Sequence, residues 1–488
     1  MGSDTNSFGS PNHEYEIVKD IMIDIKTEPE DPMNTTKNNI YRVPCNLRKL
    51  NKDAYTPQLV SIGPLHYGQK KLKPMQAHKL HYLNLFKERV KGNIGALHKF
   101  KAFLKEKEQE IRQCYAEKLF CGQKGKKEEE EKEGDDNNVA VLKQTCLDDD
   151  DVILKQTWLN KSVQRDLLLL ENQIPLFILK ELYNSVVPKT VNMRNKFIEV
   201  AHDYFECFHP YKKIKDEKQD SDHPKPSGNN NNSDSYLQKK PSFRFERVKK
   251  NWKNDPVHFT DLIRYFYLCK EVTDHQKGSF SCVLKTATKL QESGVSFEKV
   301  TVRSLLDIKL EKVKILSWFL CLGCLPKSSY FKARLQIPQL TIDNTTECVL
   351  RNLIAFEQCH YSNQPYICNY VSLIDSLIHT KDDVELLVEK EIIVHELGSD
   401  KEVATLVNSL CKHVVANKTC YKKIINDLNK HYQNEWYRTM ASLRLVYFRD
   451  AWRASSTLVG IAVLIFTIFN FCRVVKLVLD LDQRQPNN

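Results

Sequence analysis

The chain has 488 residues, with 73 Lys and Arg against 62 Asp and Glu, a formal net charge of +11. A hydrophobic content of 41%, with only 15 Gly and 18 Pro, excludes a disordered or collagen-like chain. The 15 Cys are too sparse for a disulfide-stapled scaffold, and the thin basic excess singles out neither nucleic acid nor lipid.

Residues 1–39 read as a polar arm, acidic at 27–32, with one short helix near Ile17–Ile25. The arm lacks a basic stretch followed by an apolar run, so it is not a secretory signal. Gly2 fails the myristoylation pattern because Asn6 stands where Ser or Thr is required. Residues 40–68 carry Pro44, Pro57, Gly63 and Pro64, which predicts extended and looped chain. Pro74 then opens a helix, and Leu80, Leu83, Phe86 and Val90 form one apolar face. Leu97, Phe100, Leu104 and Ile111 continue a helical pattern. Residues 122–138 are a low-complexity acidic loop mixed with Lys. The carboxylates at Asp148–Asp151 lack the alternation and glycine turn of a calcium loop, so they read as a solvated loop or helix start.

Residues 166–182, DLLLLENQIPLFILKEL, are the most apolar stretch before the C-terminus. Glu171, Asn172 and Gln173 lie within it and Pro175 interrupts it. Residues 214–242 are a polar, Asn-rich disordered insertion dividing an N-terminal from a C-terminal lobe. The second lobe reads as mostly helices. Leu373, Ile374, Leu377 and Ile378 form one face, and Ser399 with Glu402 fits a capping box ahead of Val403, Leu406, Val407, Leu410 and Val414. Ile424, Ile425, Leu428 and Tyr432 follow, and residues 335–342 look strand-like.

No catalytic or cofactor motif stands out. Cys321 and Cys324 form a single CxxC in an apolar run, without the second ligand pair that zinc requires. His395 and Glu396 begin like HExxH, but Ser399 occupies the second histidine position. Glu171, Asn172 and Gln173, like Glu357 and Gln358, read as polar groups inside apolar helices, with Arg351 placed to pair with one of them. Buried polar groups need hydrogen-bond partners, so a structural network is expected ahead of general acid–base chemistry. The basic, aromatic-interleaved stretch 244–253 reads as a solvated helix start rather than a nucleic-acid surface.

Residues 454–472, between Arg453 and Arg473, carry no charge. As a helix they span about 28 Å, close to the hydrocarbon thickness of a bilayer. Ala454, Leu458, Ile461, Leu464, Phe466, Phe469 and Cys472 mark this expected transmembrane helix, leaving a short tail at 473–488. Trp436, Tyr437, Tyr447, Phe448 and Trp452 precede it as an interfacial aromatic belt would. A late single span without a signal peptide predicts a tail-anchored protein with its large domain facing the cytosol, on the plasma membrane or an endomembrane.

Several ordered blocks resemble the plant DUF247 (UPF0481) family. They are IYRVP at 40–44 with Tyr41 and Pro44, YTPQLVSIGPLHYG at 55–68 with Pro64, and LLLLENQIPLFIL at 167–179. TATKLQESGVSF at 286–297, IPQLTIDNTTECVLRNLIAFEQC at 337–359, LGSDKEVATLVN at 397–408 and LRLVYFRDAW at 443–452 continue the match. Gln76 stands where the family usually has Glu, and residues 311–334 form an atypical insertion. The resemblance implies single-pass membrane proteins without established activity, some grass members resembling self-incompatibility determinants. It defines no catalytic residues. The expectation is a mainly α protein: a large helical domain over 40–453 with few short strands, plus one C-terminal transmembrane helix. It is expected to act in protein–protein recognition or scaffolding with an unknown protein partner and membrane lipid. No cofactor, metal site or nucleic acid is expected, and an enzyme using buried carboxylates is the alternative.

Overall fold

A computed structural model of the chain describes residues 38–90, 94–117, 151–186, 196–210, 254–268, 278–279, 284–300, 304–314, 331–415, 418–435, 437–439, 441–442 and 451–482. The expected helix near Ile17–Ile25, the acidic loop 122–138, the insertion 214–242, the basic stretch 244–253 and the Cys321–Cys324 pair lie outside the described residues.

Helices dominate the architecture, as expected. Their N-terminal series is Cys45–Leu50 (α1), Pro74–Val90 (α2), Ile94–Glu106 (α3), Glu108–Gln113 (α4), Val152–Lys155 (α5), Thr157–Leu168 (α6), Leu176–Val186 (α7) and Phe197–Tyr204 (α8). Phe259–Tyr267 (α9), Ala287–Glu292 (α10), Thr346–Cys359 (α11), Tyr366–Leu377 (α12), Lys381–Glu389 (α13), Asp400–Leu410 (α14), Lys422–Gln433 (α15) and Ala451–Asp482 (α16) follow. Residues 40–68, expected to be extended and looped, also contain α1 and 3-10 turns at Asp53–Tyr55 and Pro64–His66, and a third such turn follows at Lys70–Leu72. Their prolines end or open short turns rather than excluding them: the Pro44 carbonyl accepts from Leu47 and Arg48, and Pro64 starts its own turn.

Helix α11 is the central element. Residues 346–357 are buried apart from Glu347, so the helix is enclosed nearly all round. It packs against α6, α9, α12, α14 and the turn at Asp53–Tyr55. One hydrophobic core runs from Leu168 through Phe266, Leu335 and Leu353 to Leu428, so residues on both sides of the 214–242 insertion share it. The expected face Leu373, Ile374, Leu377 and Ile378 is buried in this core. Ser399 caps α14 by accepting from the Glu402 amide, while the Glu402 carboxylate turns to the Gly398 amide. A full capping box occurs instead at α13, between Thr380 and Asp383.

Short strands lie among the helices: Gly278–Ser279 (β1), Ser296–Val300 (β2), Lys309–Lys314 (β3), Phe331–Pro338 (β4), Leu340–Ile342 (β5), Ile393–His395 (β6) and Lys418–Thr419 (β7). β4 pairs parallel with β2 and antiparallel with β3, and β5 pairs parallel with β6. The β3–β4 register sets Lys309 against Gln336 and Leu310 against Leu335. The atypical stretch 311–334 therefore leaves and re-enters the fold along one ladder, from Glu311 with Arg334 to Lys314 with Phe331.

Among the described residues, two helices in particular keep large apolar side chains in the open. Of the expected apolar face of α2, Leu80 is 61% and Leu83 is 42% exposed, while Phe86 is half-buried. Helix α16 is the other. Its stretch Ser455–Leu479, 25 residues, is long and apolar enough to cross a membrane, and none of it is buried. It runs beyond the expected 454–472, through Arg473 and Lys476. Twenty-five helical residues extend about 37 Å, longer than the roughly 30 Å of a hydrocarbon layer. Of the expected aromatic belt, Trp452 is exposed, whereas Tyr437 stacks on His431 with ring centroids 4.5 Å apart. Trp436, Tyr447 and Phe448 lie outside the described residues or side chains.

Candidate functional site

The chemistry of a buried network is concentrated in the loop between α6 and α7. Glu171, Asn172 and Gln173 sit in that loop, not inside a helix as expected. Pro175 precedes α7, and the Leu176 amide is held by the Val257 carbonyl at 2.8 Å. An uninterrupted apolar run signals burial but does not distinguish helix from a buried turn.

The loop is a set of side-chain adapters for the backbone of residues 43–63. Asn172 Oδ1 accepts from the Ile62 amide at 2.8 Å, and its Nδ2 donates to the Val60 and Asp166 carbonyls. Gln173 Nε2 donates to the Leu167 and Leu169 carbonyls, while its Oε1 accepts from the Phe259 amide at 3.0 Å. Asp166, at the end of α6, accepts from the Gln58, Leu59 and Val60 amides and from Arg165. From α11, Asn352 accepts from the Leu170 amide at 3.0 Å and donates to the Ala54 carbonyl at 2.8 Å. Irregular backbone can be buried only if its amides and carbonyls find such partners.

Glu171 is buried and fully engaged. Its Oε1 accepts from the Val43 amide at 2.7 Å and meets the Arg48 guanidinium, and its Oε2 contacts His66 Nε2 at 3.1 Å. Gln69 Nε2 lies 2.8 Å from His66 Nδ1. With Gln69 donating to Nδ1, the neutral ring carries its proton on Nε2 and donates it to Glu171. Burial, with Arg48, Arg42 and Lys71 nearby, pushes the His66 imidazole down to about 4.

A second buried carboxylate cluster centres on Glu357. Arg264 Nε donates to Glu357 Oε1 at 2.8 Å, and the Cys368 amide donates to Oε2 at 3.0 Å. The Arg264 guanidinium lies 3.9 Å from the ring centroid of Tyr361, whose hydroxyl donates to Asp261 Oδ1 at 3.2 Å. His258 accepts from the Asp261 amide on Nδ1 and donates from Nε2 to the Asn39 carbonyl at 2.9 Å. Burial raises both the Glu357 and Asp261 carboxyls, opposed mainly by Arg264. At the margin of this cluster, the Tyr41 hydroxyl donates to the Asn38 carbonyl and accepts from His360 Nδ1 at 3.0 Å.

Arg351 pairs with neither expected carboxylate. It binds Glu347 one turn earlier on α11, and Ser409 on α14, each at 2.8 Å. Glu347 is within reach because i and i+4 side chains share a helix face. Gln358 makes a two-way bond with the Val415 backbone, donating to its carbonyl and accepting from its amide. The sequence reading missed Arg48, His66, Asp166, His258, Asp261, Arg264 and Asn352. Asp166 carried a signal, as the one carboxylate opening a run of four leucines; the others depend on contacts more than 90 residues away in sequence or on neighbours of those contacts.

These arrangements bind backbone to backbone through side chains. Among the described residues, no group of three or more His, Cys, Asp or Glu is placed to hold a metal ion. The described cysteines are free thiols.

The profile of the DUF247 family, described as a plant protein of unknown function, matches residues 40–466. The UPF0481 protein At3g47200 of Arabidopsis thaliana is 26% identical over 457 residues, covering 88% of this chain and 84% of the relative. A second Arabidopsis thaliana relative, the UPF0481 protein At3g02645, is 24% identical over 491 residues, covering 91% of each chain. No solved structure matches the chain. With the family profile spanning nearly the whole helical domain and entering α16, the chain belongs to the DUF247 family of plant proteins of unknown function.

Proposed function

We propose that this chain is a membrane-anchored recognition or scaffolding protein: α16 crosses a bilayer, and the helical domain is displayed on the cytosolic side to bind a protein partner. The observation that carries the reading is the uncovered stretch Ser455–Leu479, with Leu464 and Phe466 among its solvent-facing side chains. An apolar helix of this length left in water is unfavourable by about 1.5–3 kcal/mol for each large side chain. Lipid removes that cost. Free thiols at Cys45 and Cys207 on the domain surface favour a reducing compartment.

The two buried carboxylate clusters support a structural role. Glu171 and Glu357 are enclosed and their oxygens are engaged by amides, guanidinium and imidazole groups. A general acid or base must reach the proton it moves. The reading therefore assigns neither carboxylate a catalytic role.

The test is proximity labelling from the full chain in plant cells, compared with a version that keeps α16 but lacks residues 40–442. A set of labelled proteins that requires the domain supports recognition. Identical sets from both proteins contradict it. Protease protection on the same membranes reads the side on which the domain lies.

A further inference from the structure

The uncovered face of α2 has no role in the anchoring or in the buried network. From Leu80 onward the helix projects from the domain: Leu80, Tyr82, Leu83 and Leu85 are all exposed. At 100° per residue Tyr82, Phe86, Leu83 and Leu80 fall within an arc of about 160° that Lys87 shares, with Leu85 beside it and Asn84, Glu88 and His81 opposite. The Tyr82 hydroxyl donates to Asp151 at 2.6 Å, and the same carboxylate oxygen accepts from the Leu154 amide at 3.1 Å. This joins α2 to the start of α5, where Leu154 and then Trp158 are also exposed, Trp158 by 65%. An exposed apolar arc of this width ordinarily faces a packing partner or lipid.

The charge around this patch selects the occupant. Residues 69–91 carry seven Lys and Arg and one acid, Glu88. Lys70, Lys71, Lys73 and Lys87 are exposed beside the apolar positions. Bulky apolar and aromatic side chains on a basic helix match an anionic bilayer interface, where the ring and aliphatic groups enter the acyl boundary and the ammonium groups meet phosphates. A symmetric contact with a second copy would set two strongly basic helices against each other. Ala441 is buried in the domain and α16 begins at Ala451. Ten residues of connection reach at most roughly 35 Å, so a bilayer crossed by α16 lies within reach and the contact is intramolecular.

We infer that the projecting part of α2, with Leu154 and Trp158, docks on the anionic leaflet of the bilayer that α16 crosses. This rests on the spanning role of α16 and adds a second, peripheral contact that fixes how the domain lies on the membrane.

The test places the photo-crosslinking amino acid benzoylphenylalanine at position 83, and at exposed position 298 as a control, in the full chain. Each protein is reconstituted in phosphatidylcholine vesicles with and without phosphatidylserine. Position 83 is expected to yield phospholipid adducts, increased severalfold by phosphatidylserine and returned toward the phosphatidylcholine level by high salt or by Lys70→Glu with Lys71→Glu and Lys87→Glu. Position 298 yields none. Adducts from position 83 to a second copy or to the chain itself, or no adducts, overturn the inference when the protein withstands alkaline washing of the vesicles. Release by alkali while position 83 still forms lipid adducts supports the docking contact and contradicts the spanning helix instead.

Discussion

A Cβ placed on Gly63 would stand 2.6 Å from the carbonyl oxygen of Gln173. The two backbones meet there because Asn172 draws the Ile62 amide inward, and only a residue without a side chain admits the approach. The obstacle is backbone, which cannot rotate away. Gly63→Ala is therefore expected to lower unfolding stability by about 1–3 kcal/mol, as overpacking does in a filled core. Gly95, whose Cβ would meet nothing within 4 Å in α3, is the control. Gly95→Ala should be neutral or slightly stabilising. Thermal unfolding of the detergent-solubilised full chain, followed by circular dichroism, compares them.

The buried pair Arg264–Glu357 makes a different prediction. Removing one partner leaves the other charged in a dry site, so Glu357→Leu or Arg264→Met alone should each cost about 3–5 kcal/mol. The double variant should recover a large part of that loss, because no uncompensated pair remains. Asp261 limits the recovery, since it too lies near Arg264. A double-mutant cycle of denaturant midpoints checks this. Strictly additive losses would show that the two groups are not coupled.

His66 gives a pH dependence whose sign follows from its burial. Its folded-state value is depressed to about 4, from an ordinary 6.5. The unfolded chain therefore binds the proton first, and stability contributed by neutral His66 is complete above pH 6.5 and lost as pH falls toward 4. The slope for this one proton is at most about 1.4 kcal/mol per pH unit. The difference in stability between the parent and His66→Gln should shrink over that window and be flat above it. A difference independent of pH would mean that His66 keeps its usual value.

Asp166 holds three successive amides, Gln58 to Val60. In Asp166→Asn one acceptor becomes an NH2 group facing N–H donors. Unsatisfied buried donors cost about 1–3 kcal/mol each. Hydrogen exchange at residues 58–60 should accelerate more than at α12, which shares no bond with this carboxylate. Uniform acceleration across the chain would point to global destabilisation instead.

Much of the helical architecture was legible because it is local. The face Leu373, Ile374, Leu377 and Ile378, the Ser399 cap and the apolar length of α16 are all periodicities or neighbours within a few residues. The burial of Glu171, Asn172 and Gln173 was legible from their apolar surroundings, but their loop conformation was not, since four leucines and a downstream Pro175 suit a helix end and a turn equally. The expected pairing of Arg351 with Glu171 or Glu357 does not form, because Arg264 holds Glu357 across 93 positions of sequence, which no spacing in the chain announces. Strand β3, KLEKVK, carries four charged residues in six and owes its conformation to the ladder with β4, which no local pattern announces. Periodicity also gave α2 an apolar face without saying what would cover it.

The central claim is that α16 holds the domain to a bilayer by crossing it. The most direct measurement is extraction of the untagged full-length protein from membranes of the plant cells that make it, at high pH, followed by flotation. The account predicts that the protein rises with the lipid after alkali and is released by detergent. Recovery in the alkaline supernatant, with the lipid floated free of it, would contradict the account.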